Sequence, residues 1–265
     1  MCKRGQISLF IVFGLIILIT ISLFLYINSK KLNTPPLEVP EAKKQSVHNF
    51  IDLCLKSESD HALILLGLKG GYLYPNNLLL YNDQSSFDIP YYLYYNDSFV
   101  VSKDFLEFQL KNYVLDNFES CINDFNNFEG IKVISSEPML NVTVGDSVSF
   151  SLNYYVGIVS GSSKSFLDNN YNYDVKLRLA EILSIASNIT KQGPFVDLNY
   201  LSKISSRNFN VTSYTYYSDS VLIPLEGQDH DIVFQITDLN NKIGNEYFIY
   251  QFAEKFNISE EEIEI

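Results

Sequence analysis

"GIKVISSEPMLNVTVGDSVSFSLNYYVGIVSG", residues 130–161, alternates apolar and polar side chains on both sides of Gly145-Asp146. A period of two sends one row of side chains into a core and the other into solvent, and the Val-, Ile- and aromatic-rich flanks suit a pleated surface. With Gly-Asp between the two runs, the stretch predicts a β-hairpin.

Outward toward the C-terminus, "SKSFLDNNYNYDVKL" (163–177) is a third β-like run. It leads into a helix near 175–190 carrying Val175, Leu177, Leu179, Ile182, Leu183, Ile185 and Ile189, and a shorter one at about 197–205 after Pro194. Strands return in "NFNVTSYTYY" (208–217), "SVLIPLE" (220–226), "DIVFQITDL" (231–239) and "EYFIYQFA" (246–253), before an acidic "EEEIEI" tail. Outward toward the N-terminus, residues 41–68 show three- and four-residue apolar spacing through Val47, Phe50, Ile51, Cys54, Leu55, Ala62, Leu65 and Leu66. Gly67, Gly70 and Gly71 stop that helix. Residues 76–100 read as short strands or an irregular cover layer, and Ser102 as the N-cap of a second helix over 103–125. Helices and strands in blocks, with hairpins in place of βαβ alternation, predict an α+β fold with an antiparallel sheet.

Cys54 and Cys121 each fall on the apolar side of one of these helices, and Cys2 lies at the far N-terminus. Two helices packed face to face bring Cys54 and Cys121 into range, so a disulfide between them is expected in an oxidising compartment.

Residues 7–27 carry no charge, and as a helix they measure roughly 31 Å, the thickness of a bilayer core. The run is longer than a secretory apolar region and ends in "LYINSKK" without a small-residue cleavage site. The organisation expected is a basic cytoplasmic n-region at 1–6, a transmembrane helix at 7–27, a linker at 28–45 containing Pro35, Pro36 and Pro40, and an extracytoplasmic domain at 46–265 with a sub-boundary near 130. Charges flanking the apolar run are nearly balanced.

"KRGQISLF" (3–10) resembles the class III, type IV pilin-like signal of archaeal surface proteins. That resemblance implies cleavage between Gly5 and Gln6, retention of the apolar stretch and a domain outside the cell. The acidic residue usual five positions into a mature pilin is Phe10 here, and the prolines interrupt the long stem that pilins carry. The chain as a whole resembles an uncharacterised family of archaeal membrane-anchored surface proteins, through "KRGQISLF", "CLKSESDHALILLGLKGGY" and "FAEKF". The likeness implies location and architecture and carries no activity.

The net charge is −12, and residues 1–44 hold six Lys/Arg against two Glu, so the remainder carries −16. Such a surface repels phosphate backbones and argues against nucleic acid as a partner. Asn-x-Ser/Thr triplets begin at Asn96, Asn141, Asn188, Asn210 and Asn257 and are candidate glycosylation sites. Tyr91, Tyr92, Tyr94 and Tyr95 form a candidate contact patch, since tyrosine joins an apolar ring to a polar tip. His230 lies between Asp229 and Asp231, but in a strand it points away from both, so no metal site is expected. "GIVSGSS" lacks the Gly-x-Ser-x-Gly spacing of a nucleophile elbow, and "LGLKGGY" follows a helix where a phosphate loop would precede one. Neither a catalytic motif nor a cofactor motif emerges. The functions left open are a structural or partner-binding envelope component held in the bilayer by residues 7–27, a pilin-like filament subunit, and an envelope hydrolase.

Overall fold

The computed structural model describes residues 5–32, 39, 41–74, 80–81, 88–161, 163–193, 196–214 and 229–257. Among them are five α-helices and three sheets, an α+β arrangement. Helix α1 covers Gly5–Leu32, and helix α2 covers Glu41–Leu68. Both run into the stretch expected to be a linker. Nothing in "NSKKL" (28–32) breaks a helix, and Glu41 favours the first turn of α2, where it pairs with Lys44 at 2.9 Å. Pro35, Pro36 and Pro40 lie outside the described residues. In α1 the described side chains are Val12 and residues 14–27, all exposed. Among the described residues no helix is long and apolar enough to cross a membrane.

The apolar spacing of α2 puts Val47, Ile51, Cys54, Leu55, Ala62, Leu63 and Leu66 in the core. Its stop is the one the glycines foretell. Gly70 and Gly71 take positive φ of 51° and 88°, and the Gly71 amide donates to the Leu66 carbonyl at 2.7 Å. Strands β1 (Leu80–Tyr81), β2 (Ile89–Tyr94) and β3 (Asp97–Ser98) follow. Helix α3 (Lys103–Ile122) begins where Ser102 accepts from the Phe105 amide at 3.2 Å. It runs antiparallel to α2: Cys54 is bonded to Cys121, His61 meets Tyr113, and Gly71 faces Leu106. The disulfide, with its Cα atoms 5.8 Å apart, closes a loop of 67 residues, worth about 4 kcal/mol on the chain-entropy model. The helix expected over 103–125 ends at Ile122 instead. Asn123, Asp124 and Phe125 all have positive φ, and this left-handed turn swings Phe125 into the core against Phe50 and Tyr154.

The stretch 130–161 holds four strands: β4 (Lys132–Ser135), β5 (Met139–Val144), β6 (Val148–Asn153) and β7 (Val156–Ser160). β5 and β6 form the expected hairpin, with Val144 opposite Val148. β4 and β7 continue the same ribbon beyond a one-residue slip between Ser135↔Val156 and Met139↔Asn153. The third β-like run is two strands, β8 (Ser163–Phe166) and β9 (Asn170–Val175), one for each end of the ribbon. The resulting sheets are β4-β7-β8 and β5-β6-β9. Val175 therefore ends a strand, paired with Val148, and helix α4 starts later than expected, at Leu179–Gln192. Helix α5 covers Leu198–Ser205, capped by Asp197.

Strands β10 (Phe209–Tyr214), β11 (Asp229–Ile243) and β12 (Glu246–Asn257) complete the largest sheet, ordered β1-β2-β12-β11-β10 with β3 hairpinned onto β2. This sheet departs from the expected antiparallel pattern at one pairing, since β12 runs parallel to β2. The expected strand at 220–226 and the acidic tail lie outside the described residues. α2 crosses β12 closely at Gly67, where a Cβ would strike the Ile249 carbonyl and the Phe248 ring. Among the described residues a large apolar cluster runs from Val39 to Phe252, and a smaller one joins Tyr81, Ile89, Tyr91, Val233 and Ala253.

Candidate functional site

Of the four tyrosines singled out in "PYYLYY", Tyr91, Tyr94 and Tyr95 meet ring to ring, with centroids 5.3 Å and 4.9 Å apart, and Tyr92 turns away from them. β2 lies between β1 and β12, so alternate residues enter two different layers. Tyr92 is wholly buried; its hydroxyl donates to the Gly70 carbonyl at 3.0 Å, shares a hydrogen bond with the Tyr250 hydroxyl, and its ring stacks on Phe252. Tyr91 points the other way, is 8% exposed and donates to Asp231 at 2.8 Å. Burial first, then the Asp231 carboxylate, raises the Tyr91 phenol above its ordinary value. Tyr94 is half-buried and Tyr95 sits at the surface in the turn to β3.

The sequons scatter. Asn96 is exposed in the β2–β3 turn, and Asn141 and Asn210 are exposed on β5 and β10. Asn188 is half-buried on α4, where it donates to the Ser184 carbonyl at 2.8 Å. Asn257 ends β12, and Gly5 and Gln6 begin α1. His48 Nδ1 lies 3.0 Å from Asp52 on the next turn of α2, His61 meets Tyr113, and His230 lies between Asp229 and Asp231 in the sequence of β11. Among the described residues no three His, Cys, Asp or Glu side chains are grouped to hold a metal.

Two carboxylates missed in the sequence are fully buried. Asp238 accepts from Arg178 Nε at 3.2 Å and Nη2 at 2.5 Å, from the Asn240 amide at 3.0 Å and from Asn241 at 2.9 Å. Arg178, the N-cap of α4, also donates to the Arg207 carbonyl and lies flat on Phe209, 3.8 Å from the ring centre. Arg207 in turn holds Glu181 at 2.5 Å. Burial pushes the Asp238 carboxyl up, but the donors from Arg178, Asn241 and Asn240 outweigh it and hold it below the usual range. Glu254, on β12, has neither carboxylate oxygen hydrogen-bonded, and the neighbouring Thr190 hydroxyl is unsatisfied as well. Burial raises the Glu254 carboxyl to about 7, with Thr190 pulling the other way.

Two clefts mark the opposite ends of α2. At its C-terminal end Ile64, Leu68, Ile243, Tyr247, Phe248 and Ile249 line an apolar hollow of about 220 Å³, with Glu246 at the rim. Lys242 sits over the Tyr247 ring at 4.5 Å. This lining suits contact with an apolar group and contains no nucleophile paired with a base. At the N-terminal end Glu41, Lys44, Gln45, His48, Leu167 and Asp168 line a polar hollow of about 180 Å³, with Phe166 beside them.

Comparison of the chain with protein-family models, with curated proteins and with solved structures finds no match. Site chemistry therefore rests on the geometry above. Glu254 did leave a signal in the sequence: in "FIYQFAEKF" it occupies the core-facing position of a strand whose other such residues are Phe248, Tyr250, Phe252 and Phe256. Asp238 left none, because it sits where the β11 ladder shifts register, between Thr237 and Lys242.

Proposed function

We propose that this is a membrane-anchored cell-surface protein, held in the bilayer by residues 7–27, N-terminus inside, with a disulfide-stapled α+β domain outside. It works through structure or contact with an envelope partner, not through catalysis. The observation that carries this reading is the uncharged apolar run of α1, whose described side chains are exposed on every side. A helix apolar all round needs an apolar surrounding, and nothing in water supplies one. The Cys54–Cys121 bridge supports an oxidising compartment, where such bonds persist. The pilin-like "KRGQ" supports a mature N-terminus at Gln6.

Washing native membranes with alkaline carbonate tests the anchor. The protein is expected to stay in the pellet, and its N-terminal sequence to begin at Gln6. Release of a soluble form that begins near residue 30 would overturn the reading. Thiol labelling of intact cells tests the compartment: Cys54 and Cys121 are expected to react only after reduction.

A further inference from the structure

The β4-β7-β8 sheet buries one face and leaves the other bare. In register across the three strands, Ile134 stands opposite Gly157, which stands opposite Phe166; one step along, Lys132, Val159 and Lys164 form a second row. Residues opposite each other in an antiparallel sheet share a face, so these six point together. Tyr155, two residues before Gly157, extends the same face. Exposure follows: Phe166 is 66% exposed, Tyr155 57% and Ile134 46%, while Val156 and Ile158 on the other face are in the core. Gly157 lacks a side chain, and the Phe166 ring leans over it, 3.3 Å from where a Cβ would lie, with Lys164 Nζ 4.8 Å from that ring.

The face thus carries two aromatic rings, an isoleucine and two lysines, with no carboxylate among its seven positions, on a domain whose formal charge is −16. Its position is equally telling. Phe166 borders the cleft at the first turns of α2, and Lys43 Nζ lies 3.8 Å from the position a Cβ would take at Gly130, just before β4. Glu41, which borders the same cleft, is paired with Lys44. The face therefore adjoins the point where the chain arrives from α1. Leu32 and Glu41 are joined by eight residues, a tether of at most about 30 Å.

We propose that this face is a second membrane contact, which lays the domain against an anionic bilayer surface beside its own anchor. The proposal rests on the reading of α1 as that anchor. Phe166 and Tyr155 sit at headgroup depth, where amphipathic and aromatic rings gather, and Lys132 and Lys164 reach lipid phosphates. Lipid is favoured over a protein partner by charge: this face joins aromatic rings to lysines without a carboxylate among its positions, and it adjoins the end of α2 that the tether enters.

The chain has no tryptophan, so a single one reports its own surroundings. Full-length Phe166→Trp is reconstituted into vesicles of zwitterionic or mixed zwitterionic and anionic lipid with brominated acyl chains. Phe108→Trp is the control. Phe108 is exposed on α3, 13 residues before Cys121, as Glu41 is 13 before Cys54 on the antiparallel α2, which places the two about 39 Å apart along the pair. The expected result is blue-shifted, bromine-quenched emission for Phe166→Trp in anionic vesicles, relieved by Lys132→Gln with Lys164→Gln, and none for Phe108→Trp. If both variants float with the vesicles and Phe166→Trp is no more quenched than the control, the docking proposal fails and the anchor stands. A shift that grows with protein density without bromine quenching would mean a second copy covers the face, which also overturns it. A protein that does not float at all removes the anchor and this proposal together.

Discussion

Asp238 and Glu254 are both fully buried, on adjacent strands of one sheet, and both abut helix α4. Asp238 lies at the helix N-terminus beside the cap residue Arg178; Glu254 lies at the other end, beside Thr190 in the last turn. The helix dipole is favourable to a carboxylate at the first place and unfavourable at the second. Backbone differs too. Asp238 sits where the β11–β12 ladder breaks, which frees the Asn240 amide and the Asn241 side chain to turn toward it. Glu254 pairs with Ile232 on one side and, just past a shift of register, with Leu93 on the other, and neither side chain offers a donor. The difference lies in the donors each acid meets: Arg178, Asn240 and Asn241 turn toward Asp238, while Glu254 is flanked on its neighbouring strands by Ile232 and Leu93.

The comparison breaks most sharply at Asp238. Asp238→Ala takes the closer carboxylate from Arg178 and leaves it Glu181 at 3.6 Å, and denaturant unfolding is expected to show a loss of about 3 kcal/mol. A loss under 1 kcal/mol would mean that solvent already serves Arg178. Because the Asp238 carboxyl is held low, its contribution is present above the ordinary carboxylate range and disappears as pH falls below it.

Glu254 acts in the opposite direction. Its carboxyl is raised from 4.5 to about 7, so the folded state binds the proton more tightly than the unfolded one. The stability this gives is full below pH 4.5 and is lost as pH rises toward 7. The gap between Glu254→Gln and the parent should widen in favour of the variant by about 3 kcal/mol from pH 4 to pH 8. Parallel pH profiles would show that the carboxylate has a donor after all.

Thr190→Val tests the hydroxyl beside Glu254. With no hydrogen bond completed, its removal is expected to change stability at pH 8 by under about 1 kcal/mol. The smallest effect is the coupling between the two acids. Thr190 lies twelve positions along α4 from its cap Arg178, about 18 Å, so Asp238→Ala and Glu254→Gln should add to within about 0.5 kcal/mol.

Periodicity made much of this fold legible. The β5–β6 hairpin, α2 with its glycine stop, the Ser102 cap and the cysteine pairing all follow from local spacing. The errors share one cause, a tertiary contact that overrides local pattern. Val175 fits helical spacing but pairs with Val148, α3 stops early because Phe125 is needed in the core, and β2 joins β12 in parallel across most of the chain. Tyr92 looked like part of a surface because composition does not tell a covered sheet from an open one, whereas it is wholly buried. The bare face of β4-β7-β8 was equally hidden, since Phe166 and Tyr155 become neighbours only once the register is known.

That parallel pairing also sets a clock. β12 is an interior strand of its sheet, and α2 lies across it at Gly67, yet it is formed by residues 246–257 while β2 is complete by residue 94. Ribosomes add roughly 5–20 residues per second, so β2 and α2 wait about ten to thirty seconds for their partner. Through that interval Ile51, Leu55, Leu63 and Leu66 lack the strand that covers part of their helix, and contacts this distant in sequence form slowly. The disulfide between α2 and α3, available as soon as Cys121 has emerged, clips the early helices together long before the sheet can close over them.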